Sequence, residues 1–269
     1  MRLALSQFCF PGLSPTAFLK VAATAGAEGC ELDIVPGLGS RDLGALAAAV
    51  RASGLKVEIV CALRDWALPD DAGYAERFDR LVEAAAELAS PWVLCVAPIR
   101  YEGLPSRADV LSSAAERLGA LAEIARSAGV GVALEQVGLP STQPGATSGI
   151  RSLTDALQVV EAADPAAALV LDSYNLATGG NALCDVADVP RKRIAIAQVA
   201  DGRPTGSPTR LLPGKSKLPL GDYVGALQRA RFDGALSVEI FPDRPHADPL
   251  AFARQALRAT RALLLASRL

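Results

Sequence analysis

Four short apolar runs, each stopping at an oxygen-bearing side chain, constrain this chain more than any other feature. The sharpest is Ala168-Leu169-Val170-Leu171-Asp172, which passes at once into the polar, turn-like Ser173-Tyr174-Asn175. Val132-Ala133-Leu134-Glu135, Ile194-Ala195-Ile196-Ala197-Gln198 and Leu236-Ser237-Val238-Glu239 repeat the pattern. An apolar run of this kind reads as a strand buried on both faces, hence parallel and covered by helices. Folds of that class carry their chemistry at the carboxyl ends of the strands.

The rest of the chain extends the same rhythm. Strands are predicted over 2–7, 28–35, 55–61, 92–97, 130–135, 168–172, 193–198 and 235–241. Helices are predicted over 14–25, 40–53, 70–89, 106–128, 150–163, 221–230 and 249–267, with a short helical connection over 185–189. Ser14 followed by Pro15 is a helix start, and Gly26 a helix stop. Eight strands alternating with helical segments in 269 residues is the count of a single-domain (β/α)8 TIM barrel covering 1–269. A doubly wound open sheet is the competitor. It calls for a glycine-rich phosphate turn, and neither GxGxxG nor GxxxxGK[ST] occurs. At 51% hydrophobic and 21% charged residues, the chain has material for a large core.

The charge balance, −2, argues against nucleic acid as a partner. No apolar run reaches the length of about 18 residues that spans a membrane, and the start Met1-Arg2-Leu3-Ala4-Leu5-Ser6-Gln7 lacks a signal-peptide core. Cys9, Cys30, Cys61, Cys95 and Cys184 are scattered, with no CxxC pair, and four of them fall in or beside predicted strands. Buried thiols in a reducing compartment, and so a cytoplasmic protein, are the reading.

A barrel gathers its strand ends on one face, so Glu135, Asp172, Gln198 and Glu239 would meet there. Acidic residues also end strands simply because they are solvated, but each of these follows a clean apolar run. Three carboxylates in a poorly solvated bowl either raise their pKa values or demand a cation. Oxygen donors without sulfur or imidazole favour one hard divalent ion, Mg²⁺ or Mn²⁺. The neighbouring loops hold Arg64-Asp65-Trp66, Arg100-Tyr101-Glu102, a long polar stretch with Pro140, Ser141, Pro144 and Gly145, and the longest loop, 200–219.

With these motifs the chain resembles the xylose isomerase-like TIM-barrel superfamily. The family's ligands fall on Glu135 in ALEQ, Asp172 in LVLDSYN and Glu239 in LSVEIF. Its third ligand, often a histidine, falls on Gln198 in AQVAD, with Asp201 completing that motif; glutamine here is similar to the hydroxypyruvate isomerase and 3-dehydroshikimate dehydratase branches. Arg210-Leu211-Leu212-Pro213-Gly214 resembles a family loop, although Lys215-Ser216-Lys217 replaces its second glycine. Where members often carry a histidine after the strand-six aspartate, this chain has Asn175, which hydrogen-bonds a hydroxyl but shuttles no proton at neutral pH. The one histidine, His246, reads as a surface residue.

The resemblance implies an isomerase or epimerase of a small sugar, keto-polyol or hydroxy-keto acid. The ion would polarise the carbonyl, and Glu135 and Glu239 would exchange a proton through an enediolate. Asn175, Asp201, Arg210, Arg100 and Lys217 are candidate substrate-binding residues, with Trp66 and Tyr101 as candidate pocket walls. Loss of a β-hydroxyl from the same enolate would make the protein a dehydratase of inosose or 3-dehydroshikimate type. A barrel that binds a sugar without turnover is the non-enzymatic alternative. The closing helix, with Leu250, Phe252, Ala253, Leu257 and Leu263, either covers the barrel or joins a second copy in a homodimer.

Overall fold

A computed structural model of the protein describes residues 1–34, 40–64, 66, 73–101, 103–104, 106–139, 147–203 and 209–267. Val35, Asp65, the helix start at 70–72, Glu102, and Pro140, Ser141, Pro144 and Gly145 lie outside the described residues, as does 204–208 within the longest loop.

Eight parallel strands close on themselves. They are β1 (Arg2–Ser6), β2 (Gly29–Asp33), β3 (Lys56–Leu63) and β4 (Trp92–Val96), followed by β5 (Gly131–Glu135), β6 (Ala168–Asp172), β7 (Ile194–Val199) and β8 (Ala235–Val238). Each strand pairs with its neighbours in sequence, and β8 pairs with β1 in the register Leu3↔Leu236 and Leu5↔Val238 to seal the ring. The connections carry α1 (Pro15–Ala25), α2 (Ser40–Ser53), α3 (Tyr74–Glu87), α4 (Arg107–Ser127), α5 (Leu153–Ala163), α6 (Ser173–Thr178), α7 (Leu220–Arg229) and α8 (Pro249–Ala266). This is the (β/α)8 barrel that the strand count predicts. No described helix is long and apolar enough to cross a membrane.

Local chemistry accounts for the element ends. The Ser14, Ser106 and Ser152 side chains accept from the backbone N–H groups of Ala17, Asp109 and Asp155 and so cap α1, α4 and α5. Gly26 closes α1 at φ 89°, a left-handed turn in which glycine has no Cβ to strain. Two differences from the predicted boundaries bear on the site. The polar segment after β6 is not a turn but the helix α6, because the Asp172 side chain accepts from Asn175 N–H and nucleates it. β8 stops at Val238 rather than Phe241, so its last residues belong to the site-bearing loop.

The core has two layers. Inside the barrel, Ala4, Ile59, Cys61, Leu94, Ala133, Val170, Ile196 and Ala235 meet one another. Between strands and helices lies the larger layer, with Leu3, Leu5, Leu169, Leu171, Leu236 and Val238 among its members. Cys9, Cys30, Cys61 and Cys95 are buried free thiols, raised in pKa first by loss of solvent, and Cys184 is exposed. His246 is half-buried, not a plain surface residue: its ring stacks on Phe252 with centroids 3.7 Å apart, and Nε2 lies 2.8 Å from the Cys9 carbonyl.

Candidate active site

Side chains two apart on a strand share a face. The interior layer uses Ala133, Val170, Ile196 and Ala235. Counting on by twos along the same strands reaches Glu135, Asp172, Gln198 and, by way of Ser237, Glu239. The period of the strands therefore aims all four into the mouth of the barrel, where all are buried. Register keeps neighbours level, with Asp172 paired to Gln198 across β6 and β7, and Ser237 to Gln198 across β8 and β7.

One carboxylate oxygen each from Glu135, Asp172 and Glu239 lies within 4.8 Å of the others. Beside them Gln198 is wholly buried, and its Oε1 accepts no hydrogen bond among the described residues. An unsatisfied buried carbonyl next to three carboxylates is costly unless something positive comes to it. The donor set, all oxygen, fits a hard divalent cation. Asn175 borders the same group: Nδ2 donates to Glu135 Oε1 at 2.7 Å, and its backbone N–H donates to Asp172 Oδ1 at 2.5 Å.

Arg210 is the protein's own cation here. It is held by a two-residue antiparallel pairing in which Asp201 faces Leu211 and Gly202 faces Arg210, folding the loop after β7 back over the mouth. Nη1 donates to Glu239 Oε2 at 2.6 Å and to Asp172 Oδ2 at 3.1 Å. Its guanidinium carbon lies 5.3 Å from the centroid of the Tyr174 ring and 4.7 Å from that of Phe241, a favourable stack for a desolvated cation. Burial alone would lower the Arg210 pKa, but Asp172, Glu239 and Glu135 outweigh it and hold the group charged. One guanidinium does not neutralise the carboxylates. Desolvation pushes Glu239 up to about 7, against the pull of Arg210. Glu135 is pushed well above the carboxylate range, first by desolvation and then by the charges of Glu239 and Asp172. Asp172 is also raised by burial, with Arg210 opposing.

Above the carboxylates opens a cavity of about 420 Å³. Glu135, Glu239, Asn175 and Arg210 line its floor, and Arg100 and Arg64 stand among its walls. The walls are otherwise largely apolar, with Phe8, Ile99, Leu139 and Phe241 among them.

The structure brings Asn175, Arg210 and Arg100 to this cavity but not Asp201, Lys217, Trp66 or Tyr101. Asp201 is turned away: its carboxylate accepts from the backbone N–H groups of Gly202, Ser216 and Leu218 and so pins the loop. Trp66 is fully buried in the core, with Nε1 donating to the Val96 carbonyl at 2.9 Å, and Tyr101 is likewise buried off the cavity. Lys217 is exposed and absent from the lining. Each sits on a loop, where sequence carries no face preference. Glu31 was the missed member. On β2, Cys30 and Leu32 pack outward, and the same count by twos turns Glu31 inward, where it is fully buried. The aromatic pair Tyr174 and Phe241 around Arg210 had no sequence signal.

A family model described as a xylose isomerase-like TIM barrel matches residues 19–263. The inosose isomerase of Halalkalibacterium halodurans is 30% identical over 181 residues, which make up 64% of this chain and 62% of that protein. The chain thus spans less than two thirds of the length of that curated relative. Among solved structures, the IolI protein with a binding zinc atom superposes with a TM-score of 0.81 at 23% identity, covering 99% of this chain and 98% of that one. L-ribulose 3-epimerase superposes with a TM-score of 0.79 at 20% identity, covering 99% and 95%. At these identities the solved structures share the fold.

Proposed function

The chain belongs to the xylose isomerase-like TIM-barrel family, and from that premise we propose that it is a divalent-metal-dependent isomerase or epimerase of a small hydroxy-ketone. The observation that carries the reading is the three-carboxylate group, of which Glu135 and Glu239 line the cavity, beside the amide oxygen of Gln198, which has no partner among the described residues. The activity named for the inosose isomerase relative and the zinc atom of the IolI structure support it. A cyclic keto-polyol, a ketose or a hydroxy-keto acid is the substrate class.

Mg²⁺ or Mn²⁺ held by Glu135, Asp172, Glu239 and the Gln198 amide oxygen would supply Lewis acidity toward the substrate carbonyl. The chain's own residues do the rest. Glu239 takes the proton from the carbon next to the carbonyl. The electron pair of that C–H bond forms a C=C bond as the carbonyl π pair moves onto oxygen, leaving an enediolate. Glu135, steered by the Asn175 amide at its Oε1, carries a proton taken from solvent back to carbon, while Glu239 releases the one it took. Return to the opposite face of the same carbon inverts it, whereas return to the neighbouring carbon, with transfer of the hydroxyl proton, moves the carbonyl. Two carboxylates in different surroundings, Glu239 beside Arg210 and Glu135 beside Asn175, divide the roles of base and acid. Arg210, Tyr174 and Phe241 line the site and limit the access of water to the enediolate.

The test is deuterium wash-in from D₂O on a panel of inososes, ketoses and hydroxy-keto acids, with metal content measured beside it. Wild-type protein is expected to bind one divalent ion and to label the carbon next to a carbonyl. Glu239→Gln is expected to slow labelling by about a hundredfold or more. No exchange on any member of the panel, together with no bound metal, would overturn the reading and leave a barrel that binds without turnover. A second reading shares the enolate and ends in loss of a β-hydroxyl. Arg64 and Arg100 on the cavity wall suit the carboxylate of a 3-dehydroshikimate-type substrate, a group that neither an inosose nor a simple ketose carries. A dehydrated product from the same panel identifies it.

A further inference from the structure

Gln198 is a ligand with two ends. A side-chain amide offers a cation one carbonyl oxygen, while its NH₂ has no lone pair to give. The two ends are nearly equal in size, so only hydrogen-bonding neighbours decide which one faces inward. In metal sites such outer partners commonly set the ligand's orientation. Here the nitrogen end is held by two acceptors: Nε2 donates to Glu31 Oε2 at 2.7 Å and to Glu239 Oε1 at 3.2 Å. Both amide hydrogens are thereby used, and Oε1 remains as the end without a partner among the described residues.

The two acceptors are not equivalent. Glu239 belongs to the three-carboxylate group, and a cation bound there draws on the same side chain. Glu31 stands outside that group. It comes from β2, 167 residues away in sequence, and reaches Gln198 through the barrel interior. Ser6 of β1 and Ile59 of β3 are its register partners, so its backbone is fixed on both sides. Nothing in the proposed proton transfer uses it, and a wholly buried carboxylate is expensive to keep without a task.

We propose that Glu31 is a positioning residue: by holding Gln198 Nε2 it locks the amide so that Oε1 is presented to a cation bound by Glu135, Asp172 and Glu239. The role rests on the metal reading above. It makes a glutamine, whose two ends are otherwise interchangeable, act as a one-sided oxygen ligand.

The experiment compares wild type, Glu31→Gln and Glu31→Leu after chelation, titrating Mn²⁺ by calorimetry and following the fold by thermal melting. Glu31→Gln still offers an amide oxygen to Nε2 and is expected to bind Mn²⁺ within about threefold of wild type. Glu31→Leu removes the acceptor and is expected to weaken binding by about 10- to 100-fold. If the leucine variant does not fold, Glu31→Ser, too short to reach Nε2, takes its place. In parallel, the side-chain amide signals of Gln198 in ¹⁵N-labelled metal-free protein are assigned by their loss in Gln198→Leu. They are expected to be protected from solvent exchange in wild type and Glu31→Gln, and unprotected in the variant without the acceptor. Mn²⁺ affinity unchanged in Glu31→Leu, or an amide equally protected in every variant, overturns the proposal. So does an equal loss in Glu31→Gln and Glu31→Leu, which would make the charge of Glu31 the active feature. Wild type that binds no Mn²⁺ sinks the metal reading, and the amide protection then decides separately whether Glu31 orients Gln198.

Discussion

Arg210 concentrates the energetics of the site in one side chain. Its guanidinium is the counter-charge to Asp172 and Glu239 in a buried setting, and removing one partner of a buried pair strands the other. Arg210→Met is therefore expected to cost the metal-free protein about 3–5 kcal/mol in urea unfolding. Mn²⁺ should recover part of that loss, because it supplies the missing charge. A cost below about 1 kcal/mol would show that water already screens these carboxylates. At this scale the sequence was informative about strand residues and poor on loops. Glu135, Asp172, Gln198 and Glu239 follow from apolar runs and a period of two. Arg210 was legible as a loop cation but not as one buried among carboxylates, and Trp66, Lys217 and Asp201 went elsewhere because a loop has no period that aims its side chains.

At the scale of the element, Asp172 serves two structures at once. It ends β6, and its side chain accepts from Asn175 N–H to start α6. The two duties separate by substitution. Asp172→Asn keeps a capping oxygen and removes a charge, so the metal-free fold should be no less stable than wild type. Asp172→Ala loses the cap as well and should be about 1 kcal/mol less stable than the asparagine variant. Both should weaken Mn²⁺ binding. Equal stability of the two variants in denaturant melts would show that α6 is held by packing alone, through buried Tyr174 and Leu176. Gly138 belongs to the same junction: a Cβ there would lie 2.1 Å from Thr178 Oγ1 and 2.2 Å from the Asn175 carbonyl, so the chain leaving β5 passes directly against α6. The helix escaped the sequence reading because its six residues are too few to show a period.

Taken as a whole molecule, the barrel concentrates unfavourable charge at one end, and pH should reveal it. Glu31 is pushed from 4.5 to about 8 by desolvation and then by Glu239, and Glu239 from 4.5 to about 7 by desolvation. A carboxylate raised in the folded state binds its proton more tightly folded than unfolded. Its contribution is fully present below the unfolded value of 4.5 and is lost as pH rises through about 7 to 8. Metal-free protein should therefore melt at progressively lower temperature from about pH 5 to about pH 8. Mn²⁺ needs the carboxylates ionised, so its binding should strengthen over the same range and flatten or reverse the trend. At one hundred times its Kd the ion would add about 2.7 kcal/mol. A metal-free melting temperature that rises with pH over this window would contradict the buried-carboxylate picture.

Read alone, the sequence determined the eight strands, the helix α1 between its Ser14 cap and Gly26 stop, the parallel class of the sheet and the four strand-end oxygens. All of these depend on local chemistry or short periods that survive without knowledge of contacts. Tertiary structure alone decided which distant groups touch. Glu31 meets Gln198 across 167 residues, and Arg210 enters the carboxylate group from a loop. The reason is closure: β8 pairs with β1, so strands far apart in the chain point their inward side chains into one shared interior. No segment carries the register of that ring within itself.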